Sequence, residues 1–310
     1  MGEKGVSVWV WLAALWRFSR PHTIIGTTLS IVGLALLAWT LTPRATPDLW
    51  ELMIPLLATW VPSVCANVYI VGLNQLEDID IDRVNKPHLP LASGVFSVRE
   101  GRAIVAVTGL LALVLAGAQG QWLSLTVILS MVIGTVYSWP PFRLKRFPFW
   151  AALCIFGVRG LVVNLGFFLH FQQGLGGGTN IPPEVWALTV FVVGFAFAIA
   201  VCKDIPDIEG DRQFQIRTLT LRLGASAVFN LARWVLTGCY VFLLALTTLG
   251  GLAVQPGFMV ITHLGILVGL WWRSQQVDLG NQWQISRFYQ FIWKLFFWEY
   301  LLFPLACVWR

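Results

Sequence analysis

Long apolar stretches alternate with short polar ones from about residue 23 to the C-terminus. A run of about 18 or more apolar residues is long enough for a helix to cross the hydrocarbon core of a bilayer. Such runs recur along the whole chain, and we place nine transmembrane helices at about residues 23–40, 52–73, 102–117, 122–139, 149–171, 185–202, 227–249, 258–272 and 288–309. The pattern therefore predicts an all-α, polytopic membrane protein.

A Trp-rich segment precedes the first of these spans. Its apolar part, Gly5 to Phe18, is too short to cross a bilayer. Short segments of this kind bind in the interface plane, so we expect residues 1–22 to form an N-terminal interfacial segment.

Composition and charge support the membrane prediction. The chain of 310 residues is 57% hydrophobic and only 12% charged, which excludes an ordinary soluble domain. Its five cysteines show no metal-binding or disulfide spacing. The net charge of +6 is distributed unevenly: with nine spans, sixteen of the 21 Lys and Arg residues fall on one side of the membrane, two on the other and three within spans. By the positive-inside rule the first side is cytoplasmic.

The first concentration of acid lies where the second span ends. Asn74, Asp78 and Asp82 are spaced four apart, so on a helix they share one face, whereas Asp80 points away. Carboxylate and amide oxygens are ligands that hard cations prefer. The alternative is a solvated acidic loop that closes a transmembrane helix.

A second acidic segment follows the sixth span. Asp204, Asp207 and Asp211 share a face if this segment is helical, and Glu209 points away. Pro206 lacks an amide proton, so we expect it to kink or restart the helix. Because two such segments are placed alike, we favour a paired cation site over two solvated loops.

Both acidic segments fall on the predicted cytoplasmic side, where their carboxylates would repel one another. Oxygen-only ligands favour Mg²⁺, which usually completes its coordination shell with substrate phosphate. Nearby basic residues suit a bound polyanion, although positive-inside residues need no substrate. These residues are Arg83, Lys86, Arg143, Lys145, Arg146 and Lys203, and of them we expect Lys203, beside Asp204, to bind the anion.

With these motifs the chain resembles the UbiA superfamily of intramembrane prenyltransferases over essentially its full length. The family's first motif, Asn-Asp-x-x-Asp-x-x-x-Asp, is represented by Asn74, Asp78 and Asp82, with Gln75 where many members have Asp. Longer strings resemble the homogentisate prenyltransferase branch; they run from Trp16 to Thr23, Asn74 to Gly94, Lys203 to Thr220 and Tyr289 to Lys294.

The resemblance implies one domain over residues 1–310, with nine helices around a central cavity that is capped by the Asp-rich loops 74–101 and 203–224. It implies Mg²⁺ held by Asn74, Asp78, Asp82, Asp207 and Asp211, with Asp204 as a further ligand. The catalytic residues would be Asp78, Asp82, Asp207, Asp211 and Lys203. Arg83, Arg143, Lys145, Arg146 and Lys203 are the candidates for binding the substrate's diphosphate.

The implied reaction moves a prenyl group, phytyl in particular, from its diphosphate to homogentisate. Decarboxylation would give 2-methyl-6-phytylbenzoquinol on the tocopherol route, in a cyanobacterial thylakoid or plasma membrane. Arg20 and Arg159 are the candidates for binding the acceptor's carboxylate. The alternatives are a longer solanesyl tail, another acceptor such as 4-hydroxybenzoate, or, outside enzymes, a cation-coupled transporter.

Overall fold

The computed structural model describes residues 8–43, 49–214 and 216–310, and the regular structure there is helical. The predicted all-α class is confirmed. The first seven residues of the predicted interfacial segment, and Gln215 of the second loop, lie outside the described residues. We number the helices α1 Val8–Phe18, α2 Pro21–Leu41, α3 Met53–Glu77, α4 Ile79–Asn85, α5 Val98–Gly117, α6 Gln121–Ser138, α7 Pro148–Gly174, α8 Pro183–Lys203, α9 Ile208–Gln213, α10 Leu219–Leu223, α11 Ala225–Thr248, α12 Pro256–Gln275 and α13 Gln282–Val308.

Each of the nine predicted spans corresponds to one long helix. Within the described residues, eight helices are long and apolar enough to cross a membrane: α2, α3, α5, α6, α7, α8, α11 and α13. The helix at the remaining position, α12, has 20 residues but is not among the eight. Polar side chains such as His263 and Arg273 lower its hydropathy. The structure therefore supports eight candidate spans, and the ninth stays a prediction.

Helix α8 lies at the centre of the bundle. Fourteen of its 21 residues are buried, including Phe191 and Phe195, which stack on each other and meet Tyr240 of α11 edge to face. A helix that is apolar on all sides belongs inside a helix bundle. The second acidic segment follows directly on the predicted cytoplasmic end of α8. Because α8 is the most buried of the candidate spans, its packing fixes the position of that segment.

Helix α1 packs on the rest of the chain by one side only. Ala14 and Phe18 are fully buried, and Phe18 meets Phe96 of the first cap loop edge to face. Trp9 and Trp16 on the other side are exposed. This one-sided packing agrees with the predicted interfacial role.

The two acidic segments each contain a short helix, α4 or α9, and these helices meet. The Asn85 side-chain oxygen accepts a hydrogen bond of 3.0 Å from the Gly210 backbone N–H. A Cβ atom at Gly210 would lie 2.4 Å from that oxygen, so only glycine lets the two segments approach this closely. This contact brings the acidic residues of both segments to one site.

Candidate active site

Two connected cavities lie at the meeting point of the acidic segments. The smaller, with a volume of about 70 Å³, is polar, and the larger, about 250 Å³, extends below it between the long helices. Arg20, Asn74, Tyr137 and Lys203 line both. All six predicted cation ligands line the smaller cavity: Asn74, Asp78, Asp82, Asp204, Asp207 and Asp211. The pairing of the two acidic segments that the sequence predicted is therefore present.

The first acidic segment is helical but not continuous. Helix α3 ends at Glu77, Asp78 interrupts it, and α4 begins at Ile79. The four-residue spacing nevertheless survives, because the Asp82 N–H donates to the Asp78 carbonyl at 2.7 Å. The Asn74 amide also donates to Asp78 Oδ2 at 3.0 Å. The three side chains therefore still face one cavity.

The carboxylate of Asp78 is compensated by cations from the loop between α6 and α7. An Arg143 guanidinium nitrogen lies 2.9 Å from Asp78 Oδ1, and the Lys145 ammonium contacts Oδ2. Burial lowers the pKa of Lys145 to about 8, against the attraction of Asp78. Both of these predicted diphosphate-binding residues are thus paired with Asp78, which lines the polar cavity, and Lys145 lines that cavity itself.

Two arginines at the site adopt left-handed backbone conformations. Arg20 has φ 51° and Arg143 has φ 41°, a region that residues other than glycine occupy infrequently. Strained backbone of this kind concentrates at functional sites. Here it accompanies guanidinium contacts with the first motif: Arg143 with Asp78, and Arg20 with the Asn74 side-chain oxygen at 3.4 Å.

The second acidic segment breaks at the place where Pro206 predicted a break. Helix α8 ends at Lys203 and α9 begins at Ile208, with Asp204 and Asp207 in the turn between them. Lys203 Nζ lies 3.5 Å from Asp204 Oδ1 and 3.3 Å from the Tyr137 hydroxyl. Asp207 pairs instead with a residue of the other segment, Lys86, at 2.5 Å.

The remaining carboxylates of the site are poorly compensated. Burial, and then repulsion from Asp204 and Asp207, raises the pKa of Asp211 to about 7. Burial also raises the pKa of Asp82, and its Oδ2 atom is buried without a hydrogen-bond partner among the described residues. The protein's own cations therefore leave negative charge unbalanced on this side of the cavity.

An all-oxygen donor set with unbalanced charge fits Mg²⁺ chemically. The partnerless Oδ2 of Asp82 is a ready ligand atom that faces this set. In the described part of the chain, however, no three carboxylate, His or Cys groups converge closely enough to hold one metal ion by themselves. Mg²⁺ usually keeps several waters and takes its other ligands from substrate phosphates, so an open donor set of this kind still fits it.

Two predicted diphosphate-binding residues lie away from both cavities. Arg83 is exposed and pairs with Asp80 at 2.7 Å, and Arg146 is also exposed. Asp80 and Glu209 are exposed too, as the face argument predicted. The structure thus separates the cations that line a cavity or pair with Asp78 from those on the surface, a distinction that charge spacing in the sequence does not make.

Gln75 is the position at which the sequence departs from the family motif, and the structure shows what it does there. Its side chain is buried and donates to the Phe18 carbonyl at 2.7 Å, on the side of α3 away from the cavity. It therefore anchors α1 and leaves the predicted ligand set intact.

Several cavity residues were not singled out as site residues from the sequence. Lys86, discussed above only as a nearby cation, joins the two segments, and Tyr137 borders both cavities. Their only sequence signals were a Lys inside the Asn74–Gly94 string and a Tyr near the end of a span. His263 and Glu299, which the sequence left without a role, form a fully buried pair at 3.3 Å outside these cavities.

The model of the UbiA prenyltransferase family matches residues 29–295 of the chain. The chain belongs to the UbiA prenyltransferase family. This confirms the resemblance that the motifs indicated, and it disfavours the transporter alternative, since the family is one of enzymes.

Known relatives and structures agree with this assignment. The chain is 51% identical to the homogentisate phytyltransferase of Synechocystis sp. over 95% of this chain and 96% of that protein. It is 41% identical to homogentisate phytyltransferase 1 of Arabidopsis thaliana over 94% of this chain and 75% of that one. A UbiA homologue from Archaeoglobus fulgidus, solved with GPP and Mg²⁺, shares the fold with a TM-score of 0.63 at 17% identity, covering 96% of this chain and 100% of that one.

Proposed function

We propose that this protein transfers a phytyl group from phytyl diphosphate to homogentisate and thereby makes 2-methyl-6-phytylbenzoquinol for tocopherol biosynthesis. The observation that carries the proposal is the joining of a carboxylate-lined polar cavity to a larger, mainly apolar one. A diphosphate suits the first and a prenyl chain suits the second. The names of the two relatives supply the phytyl and homogentisate parts of the proposal.

The diphosphate would bind in the smaller cavity with Mg²⁺ held by Asn74, Asp78, Asp82, Asp204, Asp207 and Asp211. When bound, Mg²⁺ offsets the negative charge that develops on the leaving diphosphate. Lys203, Arg143 and Lys145 would contribute fixed positive charge to the same oxygens. Lys203 is the best placed of the three, because it lines both cavities and so stands where the bond to the prenyl carbon breaks.

The larger cavity would hold the prenyl chain and shield the allylic cation from water. Its walls include aromatic rings such as Tyr137, Tyr289 and Trp293, whose faces favour positive charge. The carbon–oxygen bond to the diphosphate breaks, and a ring carbon of homogentisate bonds to the prenyl carbon. The ring loses one proton, the carboxylate leaves as CO₂, and the methylene carbon gains a proton to become a methyl group.

The test is an assay of membranes that contain the protein, with a panel of tails and acceptors. Phytyl, geranylgeranyl and solanesyl diphosphate are each paired with homogentisate and with 4-hydroxybenzoate, with Mg²⁺ or with excess EDTA. We expect diphosphate release and prenylated product with phytyl diphosphate and homogentisate, and none in EDTA. A higher kcat/KM with solanesyl diphosphate, or with 4-hydroxybenzoate, would overturn the substrate assignment. Undiminished turnover in EDTA would overturn the Mg²⁺ requirement.

The proposal also includes an orientation, with the active site on the cytoplasmic side of a cyanobacterial thylakoid or plasma membrane. The asymmetry of basic residues supports it. Single cysteines near Pro87 and near Gly176, in a background without other reactive cysteines, should be labelled from opposite sides of sealed vesicles. Labelling of both from one side would contradict the predicted span order.

A further inference from the structure

Arg159 is the one intramembrane arginine that lines the larger cavity among the described residues. It lies in a π-helical turn of α7, Gly157–Val162, a distortion that often marks functional sites. Its guanidinium carbon is 5.1 Å from the centre of the Trp293 ring and 5.4 Å from that of Phe296. No carboxylate of a described residue forms an ion pair with it.

An uncompensated arginine is unfavourable here for two reasons. A charge at this depth costs about 2.5–3.5 kcal/mol on insertion scales, and such residues usually have a partner. The guanidinium would also repel the allylic cation that forms in the same cavity of low dielectric constant. A substrate anion beside Arg159 removes both costs. The prenyl diphosphate cannot be that anion if its phosphates lie among the acidic segments.

The depth of Arg159 separates its role from that of Arg20. Arg20 lines both cavities where they join and donates to Asn74 of the first acidic segment, so it lies at the diphosphate end. Arg159 instead approaches α2 at Gly26, where an added Cβ would lie 3.1 Å from its Nη1 atom. Gly26 is six residues along the helix from Arg20, or about 9 Å deeper at 1.5 Å per residue. An aromatic ring next to the prenyl carbon can place a carboxylate at that level.

Hydrogen-bond acceptors lie at the same level of the cavity. The Asn67 amide donates to the Thr27 hydroxyl at 3.1 Å, which leaves the Asn67 side-chain oxygen without a hydrogen bond to a described residue. Ser30 donates to the Gly26 carbonyl at 2.8 Å and also contacts the Tyr300 hydroxyl, so it is already engaged within the protein. The side chains of Thr27, Ser30 and Asn67 all line the cavity. They suit a ligand that carries hydroxyl groups as well as an anion.

We propose that this level of the cavity is the acceptor subsite, in which Arg159 binds the carboxylate of a hydroxylated aromatic acid and Asn67 accepts a hydrogen bond from a ring hydroxyl. This deepens the proposed function and rests on it for the identity of the acid. The planar guanidinium, held on two aromatic rings, can bind a carboxylate through two parallel hydrogen bonds.

The experiment compares Arg159→Gln with a matched control, Arg233→Gln. Arg233 is also an intramembrane arginine stacked on a tryptophan, 4.2 Å from the Trp271 ring centre, but it lines neither cavity. KM and kcat are measured with homogentisate and with methylhydroquinone, which keeps both hydroxyls and lacks the carboxylate. Homogentisate binding is also measured by calorimetry on purified protein in the presence of a non-reactive prenyl thiodiphosphate and Mg²⁺.

Arg159→Gln should raise KM and Kd for homogentisate at least about 30-fold, since truncating one partner of a buried charge pair is costly. KM for phytyl diphosphate and for methylhydroquinone should change less than about threefold, and Arg233→Gln should change none of them. Asn67→Leu should weaken homogentisate and methylhydroquinone alike. Equal weakening of homogentisate and methylhydroquinone by Arg159→Gln, or no effect on either, would overturn the assignment.

A second pair of variants tests the assignment in case Arg159→Gln fails to fold. Arg159→Lys keeps the charge without the planar fork, and Gly26→Ala crowds the guanidinium without removing it. Both should raise KM for homogentisate while phytyl diphosphate still binds, and unchanged KM in both would also overturn the assignment. Failure of the proposed function would give a different result. Wild-type protein would then bind homogentisate in an Arg159-dependent way but form no phytylated product.

Discussion

The two acidic segments look alike in the sequence but are compensated differently in the structure. In the first, Asp78 is paired with Arg143 and Lys145, which come from the loop between α6 and α7. In the second, Asp207 takes its cation, Lys86, from the first segment. Asp211 forms no ion pair with a described residue, and its pKa is raised to about 7. The second segment therefore depends on the first for part of its charge balance. Each segment keeps one buried carboxylate that forms no ion pair with a described residue, Asp82 in the first and Asp211 in the second.

The largest effect should follow removal of one carboxylate from each segment. Asp78→Ala and Asp207→Ala should each reduce kcat to less than a tenth of wild type, since each removes a proposed ligand of the metal–diphosphate complex. A tenfold loss corresponds to about 1.4 kcal/mol. The assay is phytyl transfer in membranes with protein levels matched by immunoblot. A variant that keeps more than a tenth of wild-type kcat would show that its segment does not bind the metal.

An intermediate effect should follow Lys86→Gln, which breaks the link between the segments. Loss of the cation should raise KM for phytyl diphosphate about fivefold, because a fixed positive charge next to the diphosphate is gone. The concentration of Mg²⁺ for half-maximal rate should fall or stay constant, because Asp207 becomes free to bind the metal. If Lys86 acts through charge, KM for phytyl diphosphate therefore rises without a rise in the Mg²⁺ requirement, and the two quantities are measured separately.

The matched control for that variant is Arg83→Gln. Arg83 is a neighbouring cation of the same segment, but it is exposed and pairs with exposed Asp80. It should change neither quantity by more than about twofold, because exposed ion pairs contribute little. If Lys86→Gln weakens Mg²⁺ and phytyl diphosphate together, the contact between the segments is structural instead.

The smallest effects should come from the outward-facing acids, one in each segment. Asp80→Asn and Glu209→Gln should keep kcat and KM within about twofold of wild type, because both side chains are exposed and lie outside the cavities. Steady-state kinetics on the same membrane preparations checks this. A loss as large as that of Asp78→Ala would mean that net charge, and not the face of the helix, determines activity.

Much of the site followed from local pattern. The four-residue spacing of Asn74, Asp78 and Asp82 predicted their common direction even though the helix breaks at Asp78, because the 2.7 Å hydrogen bond across the break preserves one helical turn. Pro206 predicted the break in the second segment because its ring lacks an amide donor. Arg83 and Arg146 were grouped with Arg143 and Lys145 because charge alone does not tell which side of a loop faces a cavity.

The sequence by itself determined the long helices, the placement of an acidic segment after α3 and after α8, and the family. Each of these features depends only on residues within one helix or one short string. Hydropathy and periodicity are properties of a single segment and do not depend on which other segment packs against it. Only the tertiary structure decided that Lys86 pairs with Asp207 and that Gln75 donates a hydrogen bond to α1. It also decided that Arg159 lines a cavity together with Trp293. These contacts join residues far apart in the chain, and they depend on how each helix is rotated when it packs, which local sequence does not specify.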